Sequence, residues 1–165
     1  MLRFGVWMAA ALLLLGWVSP TFDWDEDARW ELQSEGVRYR LDQALSELGV
    51  AESADEMVIL PSGLLVRHRE RRAVNLTVLK GNWSVLRSDK LVGSVGESLE
   101  SWRSQVGEPR KMYMNPQKVG VNYYYRASLL DLGLMVADGK VLSVMFVEPG
   151  YLEQALQRSG YQPKS

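Results

Sequence analysis

The chain has 165 residues, no cysteine, one histidine and a net charge of −1, with 47% apolar and 24% charged residues. This suits one folded domain, or two small halves sharing a core. The lack of cysteine excludes disulfides, thiol catalysis, cysteine-ligated zinc and lipid attachment at a cysteine, and the near-zero charge gives no general pull towards nucleic acid.

At the amino end, Arg3 precedes an apolar run from Phe4 to Val18, and acidic residues follow from Asp23 to Asp27. That charge order places the amino end inside and the remainder across a membrane. The run is shorter than the ~20 residues a spanning helix needs and suits the core of a signal peptide. No clean Ala-x-Ala site follows it, so a cleaved signal and a retained anchor through Phe4 to Val18 both stand as expectations. Residues 21–36 read as an acidic linker carrying Trp24 and Trp30.

From Arg38 to Leu48, Leu41, Ala44, Leu45 and Leu48 fall on one helical face, closed by Gly49. Strands are expected at Met57–Leu60 and Leu64–Arg69 around Pro61-Ser62-Gly63, then at Arg72–Leu79 and Trp83–Arg87 around Lys80-Gly81-Asn82. A second, better specified unit follows. Leu99, Trp102 and Val106 share a helical face, Ser94 and Glu97 have the spacing of a capping box, and Gly107 with Pro109 ends the helix. Strands are expected at Lys111–Asn115, Val119–Ala127, Leu132–Ala137 and Lys140–Val147. Asp138-Gly139 favours a two-residue hairpin pairing Ala137 with Lys140 and Met135 with Leu142. In that register one face carries Leu132, Leu134, Val136, Val141, Met145 and Val147, and the other Met135, Leu142, Val144 and Phe146. Both faces are apolar, so something must cover each. A short helix from Tyr151 to Arg158 and a frayed tail complete the chain.

The order of helix and strands, repeated, predicts an α+β protein. It has an N-terminal membrane or signal helix (1–20) and the linker, then two degenerate helix-plus-antiparallel-sheet repeats at 37–90 and 91–150, and a terminal helix and tail at 151–165. Tandem copies would cover each other's apolar faces. Charge is uneven along this order: eleven acidic residues lie between Asp23 and Glu56, and seven lysines and arginines between Arg67 and Lys90. The two runs can neutralise each other in the fold.

Gly96, Ser98, Trp102, Val106, Gly107 and Pro109 follow a pattern of Gly-x-Ser/Thr, apolar residues at intervals of four, then Gly-x-Pro. This resembles the SmpA/OmlA-like small outer-membrane-assembly lipoproteins and, more broadly, the β-lactamase-inhibitor-protein-like fold. The resemblance covers about a third of the chain and implies a helix packed on a small antiparallel sheet. The chain departs from it in lacking the cysteine on which such proteins are lipidated.

Few residues suggest chemistry. His68 is the sole histidine, and it has no nucleophile-elbow motif and no companion ligands in sequence. A hydrolase using it is the weakest of three readings. Gly93-Ser94-Val95-Gly96 lacks the lysine of a phosphate-binding loop. Arg67, Arg69 and Arg71 share a strand face, with Arg72 beside them, and arginine rows grip carboxylates or keep a sheet edge soluble. Tyr124, Arg126 and Trp83 complete a candidate partner-binding set, because tyrosine, tryptophan and arginine dominate interface hot spots. The expectation is an exported, non-enzymatic protein-binding or envelope-assembly module without cofactor or metal. It would have an envelope or secreted protein partner, contact the membrane if the leader persists, and bind no nucleic acid. The alternative is a secreted inhibitor-like protein closing on a target enzyme through its sheet.

Overall fold

The computed structural model describes residues 22–50 and 55–165. Of these, 44% lie in strands and 14% in helix, so the expected α+β pair of helix-plus-sheet repeats is replaced by a mostly β protein of two antiparallel sheets. The expected leader helix lies outside the described residues. Within them, no helix is long and apolar enough to cross a membrane.

The smaller sheet has the order β2-β1-β6-β7, from β1 (Trp30–Ser34), β2 (Val37–Tyr39), β6 (Ser84–Arg87) and β7 (Lys90–Ser94). The larger has the order β12-β8-β9-β10-β11-β5-β4-β3. Its members are β3 (Met57–Ile59), β4 (Leu64–Arg69), β5 (Arg72–Val78), β8 (Lys111–Met114), β9 (Val121–Arg126), β10 (Asp131–Ala137), β11 (Lys140–Val147) and β12 (Gln162–Pro163). The two halves of the chain meet edge to edge where β11 pairs with β5, Phe146 opposite Leu76. Their strands in the larger sheet therefore extend one layer and do not stack as two facing sheets.

The cover on the inner face comes from elsewhere. Leu64, Val66, Leu76, Leu132, Leu134, Val144 and Phe146 pack against Trp30, Leu32, Val85 and Val92 of the small sheet and against Trp102 and Val106 of α1 (Leu99–Val106). Ser98 caps α1 by accepting from the Ser101 amide, while the Glu97 carboxylate accepts from the Ser94 amide one turn earlier. Gly93 lets β7 approach α1, since a Cβ there would lie 2.5 Å from the Trp102 ring.

Three sequence expectations are corrected by this arrangement. The acidic stretch taken as a linker supplies β1, whose Trp30 and Leu32 are core residues. Before it runs a strap in which Phe22, Trp24, Trp30 and Tyr125 pack ring on ring, with the Arg87 guanidinium 4.3 Å above Phe22. The helix expected from Arg38 to Leu48 is β2, a loop and a single 3-10 turn at Leu45–Leu48 that buries Leu45 and Leu48 and ends at left-handed Gly49. The tail expected to fray turns back, and β12 pairs with β8.

The Asp138-Gly139 turn sets Ala137 opposite Lys140 and Val136 opposite Val141, but the next pair is Met135 with Ser143. Leu142 is an extra, exposed residue in a β-bulge. One extra residue reverses side-chain parity beyond it. Val141, Val144 and Phe146 consequently all face the inner core, and Met145 and Val147 face outward, contrary to the regular register expected from sequence.

The outer face is only half covered. α2 (Tyr151–Arg158) lies across it near β10, and Leu152 and Leu156 bury Tyr113, Tyr124 and Val147, with Met145 and Tyr161 alongside. Over β3–β5 there is no such layer among the described residues, and Met57 and Ile59 stand 43% and 58% exposed.

Candidate functional site

Where α2 stops short of β4, the outer face forms a groove of about 700 Å³. Its floor comes from three strands: Leu65 on β4, Val74 and Thr77 on β5, and Ser143 and Met145 on β11. Strand alternation, with Val74 left as an extra residue in a bulge between Ala73 and Asn75, puts these residues on one surface. The polar groups of the floor are already engaged: Thr77 Oγ1 donates to Asn75 Oδ1 at 2.8 Å and Ser143 Oγ to the Val78 carbonyl at 2.6 Å. What they present to a visitor is largely carbon. Met135 and Met145 add flexible, polarizable side chains that adapt to irregular partners.

The rim is cationic. Arg67 and Arg69 project from β4, and Arg158 projects from the last turn of α2. Arg69 donates to both oxygens of Glu148, at 2.8 and 2.9 Å, and that carboxylate is the main reason its guanidinium is held more basic than usual. Arg67 and Arg158 have no ion-pair partner among the described residues. Arg71, expected to extend the row, lies with Glu70 in the left-handed turn between β4 and β5 and so leaves the face.

α2 is held by a buried acid. Asp131, fully buried at the start of β10, accepts from the amides of Gly150 and Leu152 at 2.8 and 3.3 Å, from Arg126 Nε at 3.1 Å and from the Tyr124 hydroxyl at 3.3 Å. One carboxylate thus ties two strands to the amino end of the helix. A second tie runs from Glu153 to Lys111 and Tyr113, both at 2.5 Å, and these bonds hold the Glu153 carboxyl below the usual carboxylate range. Beneath α2, Asn122 is buried with both amide atoms unpartnered among the described residues. Its Oδ1 lies beside Gly133, where a Cβ would also meet Leu152 and Met145.

The expected binding set is therefore dispersed. Arg67 and Arg69 line the groove. Tyr124 is fully buried under α2, and Arg126 lies over its ring and pairs with Asp131, so both act in holding the helix. Trp83 belongs to the core on the small-sheet side, 2% exposed, its indole donating to the Lys80 carbonyl at 2.9 Å. Neither aromatic ring offers a partner a surface in this fold. Sequence reasoning missed Arg158, Met145, Glu148 and Tyr151 as groove residues, because the chain gives no sign that the terminal helix returns to the sheet.

His68 is half-buried at the end of β4, its Nε2 2.5 Å from the Asp55 carbonyl oxygen. Among the described residues no group of three or more histidine, aspartate or glutamate side chains could hold a metal ion. No family model, curated protein or solved structure matches the chain.

Proposed function

We propose that the protein is a non-catalytic binding module, exported to the cell envelope, that receives a protein partner on the outer face of its larger sheet. The half-built outer layer carries the reading. An apolar groove stands open beside α2, with Met57 and Ile59 exposed next to it, on a protein whose inner face is fully packed. Methionine and arginine are enriched where proteins meet, and both border this groove. Export is supported by the run from Phe4 to Val18 with Arg3 before it and acidic residues after it. The likeness of Gly96 to Pro109 to small envelope-assembly lipoproteins points the same way.

The test is position-specific photo-crosslinking in the cells that make the protein. A crosslinker at Leu65, in the groove, should give one discrete protein adduct, and a crosslinker at exposed Val37, on the edge strand β2 of the smaller sheet, should not. Indistinguishable adduct patterns at the two positions, or none at Leu65, would remove the reading. Fractionation of the same cells with determination of the mature amino terminus decides between an anchored and a released form.

A further inference from the structure

The groove has dimensions and charge that suit one kind of occupant. α2 lies near β10, and β5 is two strands further on, roughly 10 Å away at the usual strand spacing. Packed helices sit about 8–10 Å apart. A second helix laid beside α2 would therefore run over β5 and β11, on Val74 and Met145, with Leu65 at its far side. It would lie between two sets of arginines: Arg67 and Arg69 on the β4 side, Arg158 on the α2 side. Glu148 is matched by Arg69, which leaves Arg67 and Arg158 to answer charge on the visitor. The engaged hydroxyls of Thr77 and Ser143 favour apolar contact from above over hydrogen bonding to them.

From this we infer that the partner enters as an amphipathic helix with acidic flanks, seating its apolar stripe in the groove beside α2 and completing the outer layer. The mode is that of a helix in a groove, read by apolar residues at intervals of three and four. It rests on the binding reading above and adds the chemistry of the partner.

The protein, purified with the amino terminus its cells leave on it, is titrated with two labelled peptides of about sixteen residues, long enough to form a helix when supported. Both carry leucine and alanine on one face; the polar face of one is glutamate and of the other lysine. Anisotropy should show the glutamate peptide binding in the micromolar range, as suits so small an interface, with a gain of helical circular dichroism. The lysine peptide should bind at least roughly tenfold more weakly. Arg67→Glu with Arg158→Glu should reverse that order, while Val37→Glu, on the smaller sheet, leaves it unchanged, and unaltered thermal melting confirms that the variants fold. Absence of binding by either peptide, indifference to charge, or binding without added helix (a strand along β3) would each overturn the inference. If the Leu65 crosslink in cells persists through such a result, the helical chemistry alone has failed; if it too is absent, the binding reading falls with it.

Discussion

The two faces of the eight-stranded sheet are built from similar residues and finished differently. On the inner side α1, the 3-10 turn and a second sheet close over Leu64, Leu76, Leu134 and Phe146. On the outer side one eight-residue helix closes over Tyr113, Tyr124 and Val147, and among the described residues nothing comparable covers β3–β5. The inner cover is extensive and apolar. The outer cover is small and is held at its amino end by charge, through Asp131 and Glu153. Hydrophobic burial scales with area, whereas a small helix relies on a few polar ties that fail singly. The outer layer should therefore be the part that opens first, and the part that a partner can extend.

The largest effects belong to the inner face. Trp102 is fully buried against Gly93, and Trp102→Ala should cost about 3–5 kcal/mol in urea denaturation, with every part of the fold lost together. A loss below about 1 kcal/mol would deny α1 its role as principal cover. Asp131→Ala should cost about 2–4 kcal/mol, since it strands the partners of a buried carboxylate. Its signature is local: amide hydrogen exchange should rise over Tyr151–Arg158 well before it rises in β4 and β5. Uniform exchange across both layers would show that the two covers do not differ in the way claimed.

Alkaline pH separates the faces by titration. Burial pushes the hydroxyls of Tyr113 and Tyr125 up from their ordinary value, and that of Tyr124 up to about 12. An unfolded tyrosine ionises near pH ~10. Above that pH the unfolded chain has released protons that the folded chain keeps, so this stability is complete below pH ~10 and is lost as pH climbs towards the folded values. Each tyrosine should contribute roughly 1.4 kcal/mol per pH unit to the decline. Replacing Tyr125 with phenylalanine should flatten the loss seen by a probe in the inner core, and Tyr113→Phe and Tyr124→Phe the loss seen by a probe on α2. Equal flattening at both probes would mean that the layers unfold as one even under this stress.

Much of the inner face was legible and most of the outer was not, for physical reasons. Turn chemistry is local, so Asp138-Gly139 announces a hairpin and Gly107 a helix end. A bulge is not local in that sense: nothing about Leu142 reveals that it will be passed over, yet it decides which side Val144, Met145 and Phe146 take. The strand at Trp30–Ser34 alternates correctly but is masked by the acidic residues around it. Leu41, Ala44, Leu45 and Leu48 have helical spacing and form only a single 3-10 turn, where tertiary packing overrides periodicity. The groove was only half legible. Arg67 and Arg69 follow from strand parity, but Arg158 meets them only because the last helix folds back over the sheet, a contact across ninety residues that no local pattern records.

The smallest predicted effect is the sharpest discriminator between the faces. Ile59 is a large apolar residue on a strand, and by type it should be a core residue whose loss costs several kcal/mol. In this fold it points outward from the edge strand β3, 58% exposed, opposite Leu65 at the mouth of the groove. Ile59→Lys therefore removes little buried area and strands no partner, and the urea midpoint should stay within about 0.5 kcal/mol of the parent. The same change places a cation beside Arg67 on the rim, so binding of the glutamate peptide should hold or strengthen while folding is untouched. A loss of 2 kcal/mol or more would mean that β3 is covered in solution, and the outer face would then be as closed as the inner.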